Sequence, residues 1–129
     1  MKKVIVILIA LIICLSMCAC SNQKTNIMEE NNIKEDVVGI WYLEMGSIIY
    51  IYKDGTCDYY GRTSPGGPFQ HYNPFTWEVE GEYIVLKKDL AGTASVSKYT
   101  LDGNTLLDKQ GKLYATKHSS DTSVDINLD

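Results

Sequence analysis

The sequence between residues 39 and 117 is a series of short aromatic and β-branched runs separated by turn-forming pairs. The first run begins at Gly39, and Asp54-Gly55 and Asp102-Gly103 end two of the later ones. Such pairs accept the positive φ angles that two-residue hairpin turns require. Because runs of this length with alternating polarity are typical of strands, the pattern predicts eight short strands joined mostly by tight turns.

Consecutive antiparallel strands favour an all-β fold that closes on itself. An up-and-down meander barrel removes both edges of the sheet, whereas a strongly curled open sheet or a small β-sandwich, the alternatives, keeps them. Since the interior of an eight-stranded barrel holds only side chains or one small ligand, we expect a mostly filled barrel with a shallow mouth. The alternating polarity predicts a core that contains Trp41, Leu43, Phe75, Trp77 and Val79.

The first residues have the features of an export signal. Lys2 and Lys3 precede an uncharged stretch of 16 residues, which is shorter than the roughly 20 residues of a membrane-spanning helix. The stretch ends in Met17-Cys18-Ala19-Cys20 and so resembles the lipobox of bacterial lipoproteins. The resemblance implies that residues 1–19 are a removed signal peptide and that Cys20 carries the lipid. It also implies anchoring on the extracytoplasmic face of the cell membrane.

The remaining chain divides into three parts by composition. Residues 20–38 are polar with scattered aliphatic side chains and predict a flexible tether, although Ile33 and Val37 lie four apart and allow a short helical turn. Residues 39–117 form the predicted barrel domain. Residues 118–129 are polar and acidic and predict a disordered tail.

The start of the barrel segment resembles a known family. Gly39 and Trp41 form a Gly-x-Trp motif in the first strand, and an Asp-Gly turn and successive hairpins follow it. These features resemble the lipocalin-like domains of small bacterial lipoproteins. The resemblance implies that Trp41 closes one end of the barrel, and it implies no particular activity.

Composition argues against several classes of function. The chain has 12 basic and 16 acidic residues, and loss of Lys2 and Lys3 with the signal leaves a net charge of −6. Such a charge disfavours binding to nucleic acid or to anionic lipid headgroups. The sequence has no nucleophile, phosphate-binding or paired-cysteine motif, and its two histidines are His71 and His118. We therefore predict that the protein is not an enzyme and that it holds no metal ion and no cofactor.

The longest loop is predicted between residues 61 and 74, which contain three prolines and three glycines. Long loops in compact domains are often binding elements. This one combines aromatic and cationic side chains, and its candidate binding residues are Arg62, Phe69, His71 and Tyr72. The competing interpretation is that Phe69 and Tyr72 only cap the mouth of the barrel.

These observations lead to two hypotheses of function. In the first, the protein is a membrane-anchored, non-catalytic module that binds an envelope component or an extracellular protein or peptide, and inhibitor or immunity roles belong to this class. In the second, it carries a small apolar ligand in the lipocalin manner. In both, Cys57 is a buried apolar side chain and forms no disulfide, since it is the one cysteine left beyond Cys20.

Overall fold

The computed structural model describes residues 29–44, 46–90, 92–126 and 128 of the chain. Residues 29–37 are helical and are named α1. The strands that follow are β1 (Gly39–Leu43), β2 (Ile48–Ile51), β3 (Thr56–Arg62), β4 (Phe69–Glu80), β5 (Tyr83–Leu90), β6 (Thr93–Asp102), β7 (Thr105–Leu107) and β8 (Leu113–Ser119). The predicted signal peptide and Cys20 lie outside the described residues. Within the described ranges, no helix has the length and apolar character needed to cross a membrane.

The strands form one closed antiparallel sheet. Each strand pairs with the next, and β8 pairs with β1. The prediction of an eight-stranded up-and-down barrel is therefore confirmed. Gly55 and Gly103 have φ angles of 90° and 57° in the turns of the two Asp-Gly pairs, a conformation that glycine adopts without strain. In this topology the β2–β3, β4–β5 and β6–β7 turns lie at the end where β1 begins, and the other turns lie at the opposite end.

Side chains alternate between the interior of the barrel and its outer surface. Trp41, Phe75, Trp77 and Val79 are at most 8% exposed and belong to one interior cluster, and Leu43 packs against it from the periphery. The cluster also contains Ile49, Ile51, Cys57, Ile84, Leu86, Leu106 and Ala115. Burial of these apolar side chains supplies the main driving force for folding.

Helix α1 fills the end of the barrel at which β1 begins. Val37 is fully buried, Ile33 packs against the interior cluster, and Nε1 of Trp41 donates a hydrogen bond to the carbonyl oxygen of Val37 at 2.8 Å. The structure differs here from the predicted flexible tether, because residues 29–37 are helical. Ile33 and Val37 lie on the same face of the helix, and burying that face stabilises it.

Gly39 starts β1 at a position with no room for a side chain. Its φ is 149°, and a Cβ at Gly39 would lie 2.2 Å from the backbone oxygen of Ser119 in β8. Glycine alone permits this approach. Both residues of the Gly-x-Trp motif are therefore structural, since Gly39 allows β1 to meet β8 and Trp41 fills the interior.

The C-terminal segment covers part of the outer surface. Ile126 and Leu128 pack against a second apolar cluster, which is formed on the outside of the barrel by Ile40, Ile48 and Tyr50. The structure differs here from the predicted disordered tail. These two side chains bury apolar surface against β1 and β2. The resulting stabilisation offsets the conformational entropy that the segment loses when it becomes ordered.

Candidate binding site at the open end of the barrel

The two ends of the barrel differ in how they are closed. Helix α1 fills one end, together with Val37 and Trp41. At the opposite end, which we call the open end, the remaining four turns surround inward-facing aromatic side chains. These side chains belong to Tyr59, Tyr72, Phe75, Tyr99 and Tyr114. The interior is therefore accessible from the open end.

Most of the segment predicted as a loop between residues 61 and 74 is a β-hairpin. β3 continues to Arg62 and β4 begins at Phe69, so the turn consists of residues 63–68. Two of the three prolines lie in this turn, and Pro74 lies where the β3–β4 register shifts. A proline costs no ladder hydrogen bond at either kind of position. The loop prediction was wrong because it treated all three prolines as strand breakers.

The register shift in the β3–β4 ladder changes which side chains face inward. Cys57 pairs with Phe75, and Tyr59 pairs with Tyr72, so β4 has one residue more than β3 in this interval. One extra residue moves the alternation of side chains by one position. Tyr72 consequently faces the interior beside Tyr59.

The four candidate binding residues lie on two surfaces as a result. Tyr72 faces the interior, whereas Arg62, Phe69 and His71 lie on the outer surface of β3 and β4. The guanidinium carbon of Arg62 lies 3.9 Å from the centre of the Phe69 ring. The position of Tyr72 fits a cap on the mouth of the barrel, and the position of Phe69 does not.

His71 belongs to a polar and aromatic network on the outer surface. Its Nε2 lies 2.9 Å from Oδ1 of Asp58, and the hydroxyl of Tyr52 donates a hydrogen bond to Oδ2 of Asp58 at 2.9 Å. The ring of His71 stacks on Tyr60 with the centroids 4.7 Å apart. Burial and then the hydrogen bond to Asp58 raise the pKa of Tyr52. The polar groups of these side chains are thus hydrogen-bonded within the network.

Gly61 makes room for the inner side chains of the same hairpin. A Cβ at Gly61 would lie 2.8 Å from Cε1 of Tyr59 and 3.1 Å from Cε2 of Tyr72. The two rings have centroids 5.8 Å apart, and the hydroxyl of Tyr72 donates a hydrogen bond to Oε1 of Gln70 at 2.9 Å. The absence of a side chain at Gly61 therefore lets two tyrosines lie side by side at the open end.

Tyr99 and Tyr114 form a second aromatic pair at the open end. Their rings stack with the centroids 4.0 Å apart. A register shift in the β7–β8 ladder, between Leu106 and Leu107, brings Tyr114 to the interior together with Ala115. Burial and then the neighbouring Tyr99 raise the pKa of Tyr114. The hydroxyl of Tyr114 is therefore a neutral group at physiological pH.

Two cavities lie beside Tyr59 and Tyr114. The larger has a volume of about 340 Å³ and lies between the β1–β2 and β7–β8 turns, and its lining includes Leu43, Glu44, Asp108, Lys112 and Leu113. The smaller has a volume of about 210 Å³, and its lining includes Lys88, Ser95, Ser97 and Tyr99. The structure thus departs from the expected shallow mouth. Side chains fill the barrel around Trp41, and space remains at the open end.

Sequence reasoning missed the residues that give this end its chemistry. Tyr59, Lys88, Tyr99 and Tyr114 come from four different strands, so no local motif joins them. Only strand alternation indicated their inward positions. Tyr59 lies two positions after Cys57, Tyr99 lies two positions before Leu101, and Cys57 and Leu101 also face inward.

The described residues contain no group of three or more histidine, cysteine, aspartate or glutamate side chains that could hold a metal ion. The chemistry of the open end is that of aromatic faces, hydroxyl groups and a few charges. Comparisons of the chain with protein-family models, with curated proteins and with solved structures find no match.

Proposed function

We propose that this protein is a non-catalytic binding module, held on the extracytoplasmic face of the cell membrane by a lipid at Cys20, and that it binds an envelope component or an extracellular protein or peptide at its open end. The observation that carries the proposal is the difference between the ends. One end is filled by α1 and Trp41, and the cavity of about 510 Å³ beside α1 at that end is lined mainly by glutamates. The other end presents a cavity of about 340 Å³ beside paired tyrosines.

The side chains at the open end favour a protein or peptide as the partner. Tyrosine offers a large apolar face and a hydroxyl group, and few rotatable bonds are immobilised when it is covered. Charged residues of both signs stand around the cavity, and the Nζ atom of Lys112 lies 3.6 Å from Oε2 of Glu44. An aromatic centre with a charged rim is the usual composition of a protein interface.

The position of α1 also agrees with a lipid anchor on the N-terminal side. The chain enters the barrel through α1, at the end opposite the cavities. A lipid at Cys20 would hold the filled end nearest the membrane. The open end would then point away from the membrane, toward a partner, and an inhibitor or immunity role against a secreted toxin or hydrolase belongs to this arrangement.

A second candidate function is the carriage of a small ligand. The observation that favours it is the cavity itself, because about 340 Å³ falls within the range of small-molecule sites. Glu44, Asp108 and Lys112 line this cavity, so a wholly apolar ligand would leave charged groups without solvent or a partner. We therefore rank carriage of an apolar ligand second.

A photo-crosslinking experiment on the full chain tests the proposal. p-Benzoylphenylalanine replaces Leu113 at the open end in one sample, and it replaces Val124 in a matched control, since both side chains are 39% exposed. Cells that make the protein are irradiated, and adducts are identified by mass spectrometry. We expect a protein or peptide adduct from position 113 and none from position 124.

The other outcomes decide between the alternatives. A small-molecule adduct at position 113 would support the carrier instead, and the same adducts from both positions, or none from either, would refute a binding site at the open end. Incorporation of labelled fatty acid that is lost in Cys20→Ala tests the anchor separately. Equal labelling of the two chains would refute lipidation at Cys20.

A further inference from the structure

The barrel wall is incomplete along one strand. β6 pairs with β5 from Thr93 to Thr100, but it pairs with β7 only from Thr100 to Asp102. In the part of the chain that the structure describes, no strand pairs with residues 93–99 on the side that faces away from β5. The sheet is therefore closed at the filled end and has a free edge at the open end.

The direction of the free backbone groups follows from the register. The β5–β6 turn is closed by the pair Leu90 and Thr93, and the β6–β7 turn by the pair Asp102 and Thr105. Peptide groups along an antiparallel strand point alternately to its two neighbours. The N–H and C=O groups of alternate residues therefore point to the free side, and these residues are Ala94, Val96 and Lys98.

The free edge lacks most of the devices that prevent pairing with another chain. Natural edge strands are usually short, twisted by a bulge, or interrupted by proline or inward charges. The β5–β6 ladder has no register shift, and residues 93–99 contain no proline. Val96 is 58% exposed in the middle of the edge, and the one charged side chain, Lys98, is paired with Glu80. Such an edge accepts an added strand.

The space beside the edge has room for an added backbone. A cavity of about 240 Å³ lies between β6 and the β7–β8 turn, with a lining that includes Val96, Tyr99, Asp108 and Lys109. The 210 Å³ cavity lies on the inner side of the same strand. The side chains of Ser95 and Ser97, which separate the edge from the interior, are small. Alternate side chains of an added strand would thus reach the interior.

The charges around this space favour an acidic partner segment. The inward-facing Lys88 lines the 210 Å³ cavity, its Nζ lies 5.2 Å from the centre of the Phe75 ring, and it takes part in no ion pair among the described residues. The two nearby aspartates are engaged, because Oδ1 of Asp89 accepts the N–H of Gly92 and Oδ1 of Asp108 accepts N–H groups of its own turn. Both aspartates keep their negative charge, but their carboxylates are held by backbone N–H groups, whereas the ammonium group of the inward-facing Lys88 has neither a hydrogen bond nor an ion pair within the described ranges.

We propose that β6 binds an extended acidic segment of a partner protein as an added strand, through the backbone of Ala94, Val96 and Lys98, with an inward carboxylate of that segment at Lys88. The inference rests on the proposed function and names the kind of segment that the open end recognises. Residues 93–99 contain no carboxylate, so a second copy paired through its own β6 would offer no anion to Lys88, which disfavours self-association.

Synthetic peptides test the proposal on the full chain in detergent micelles. The probe is a nine-residue peptide of alternating Thr and Glu, and its counterpart has Lys in place of Glu. We expect fast amide hydrogen exchange at Ala94, Val96 and Lys98 in the free protein, and protection of these three amides on addition of the Glu peptide only. Alternate peptide nitrogens can be N-methylated in two sets. Methylation of the set that faces β6 should abolish binding, and methylation of the other set should not.

Matched variants test the role of the inward cation. Lys88→Gln should weaken binding of the Glu peptide about fivefold, which is the effect of losing one partly exposed ion pair. Lys53→Gln is the control, because Lys53 is an exposed lysine in the β2–β3 turn at the filled end. Its affinity for the peptide should equal that of the unchanged chain.

Several results would overturn the proposal. These are slow exchange of the three amides without peptide, equal binding of both peptides, insensitivity to N-methylation, or protection that grows with protein concentration alone. Failure here is separable from failure of the proposed function. A protein adduct at position 113 with no peptide binding would retain the binding module and reject strand addition. Peptide binding without an adduct would reject the binding module, and with it the acidic partner segment, and would leave only an edge that accepts an added strand.

Discussion

The rings of Tyr99 and Tyr114 stack with their centroids 4.0 Å apart, and they join β6 and β8, two strands that do not pair with each other. β7 separates these strands at the filled end but extends only from Thr105 to Leu107. The aromatic pair therefore links β6 directly to β8 toward the open end, where β7 no longer lies between them.

The stacked pair leads to a prediction about stability. Tyr114→Ala should lower the free energy of unfolding by about 3 kcal/mol, because it removes a largely buried ring and leaves a cavity. Tyr114→Phe keeps the ring and should cost about 1 kcal/mol or less. Urea denaturation followed by tryptophan fluorescence measures both. A similar loss in the two variants would show that the hydroxyl, and not the stacked ring, stabilises the barrel.

Alkaline pH should destabilise the protein. Burial raises the pKa of Tyr114 and of Tyr52 above the ordinary value of tyrosine, which is about 10. Above that pH the unfolded chain loses protons that the folded chain keeps, so the free energy of unfolding is constant below about pH 10 and falls as pH rises further. Each such tyrosine contributes a slope of at most about 1.4 kcal/mol per pH unit.

Removal of one hydroxyl isolates its share of this pH dependence. Tyr114→Phe should have a shallower alkaline slope than the unchanged chain, and Tyr83→Phe serves as the control because Tyr83 is 38% exposed. Urea denaturation between pH 8 and pH 11 supplies the slopes. If Tyr114→Phe and the unchanged chain had identical slopes, the hydroxyl of Tyr114 would not hold its proton in the folded state as inferred.

Cys57 should be unreactive while the protein is folded. The residue is 3% exposed, and burial, followed by the charges of Asp58 and Asp54, raises the pKa of its thiol to about 12. Alkylation by iodoacetamide near pH 8 should therefore be about a hundredfold or more slower than in urea. Mass spectrometry of the peptide that contains Cys57 measures the rate.

A neighbouring variant tests the cause of that low reactivity. Asp58→Asn removes one of the nearby charges and leaves the burial unchanged, so the folded protein should stay almost as slow to react. Fast alkylation of Asp58→Asn would mean that the charge of Asp58, and not burial, protects the thiol.

The C-terminal segment should contribute to stability through one surface. Ile126 packs against Ile40, Ile48 and Tyr50, so Ile126→Ser should lower the free energy of unfolding by about 1 to 2 kcal/mol. Val124→Ser is the matched control, because Val124 is 39% exposed and should tolerate the change. Thermal unfolding of the two variants compares them. Equal melting temperatures for Ile126→Ser and the unchanged chain would mean that the segment does not cover the outer cluster.

Strand number and order were predictable because each turn carries its own local signal. The Asp-Gly pairs at residues 54–55 and 102–103 form tight turns, and period-two alternation around Trp77 places the same side chains inward that the barrel buries. The helix at residues 29–37 was less evident, because two apolar side chains in a polar segment become helical only when the barrel end gives them a surface to cover.

The open end was not predictable to the same degree. Its residues are brought together by pairing between strands, and the inward position of Tyr72 depends on one extra residue in β4. The inward position of Tyr114 depends on a comparable shift in β8. Pro74 is compatible with an irregularity in β4 but does not fix its register, and no residue type marks the shift in β8. Reading of the sequence therefore placed Phe69 and Tyr72 together where the structure separates them.

Because β4 has one extra residue, the register of the β3–β4 ladder determines which side chains of β4 face inward. Between the β3–β4 turn and this extra residue, Gln70 and Tyr72 face the inside of the barrel, and Phe69 and His71 face the outside. Loss of the extra residue between Tyr72 and Phe75 would restore strict alternation and leave both rings inward. A slip of the β3–β4 ladder by one residue would instead exchange the two sets, turning an imidazole inward and a phenol toward the surroundings. Substitutions at the start of β4 can therefore alter either surface independently, whereas a one-residue slip of register would exchange both surfaces at once.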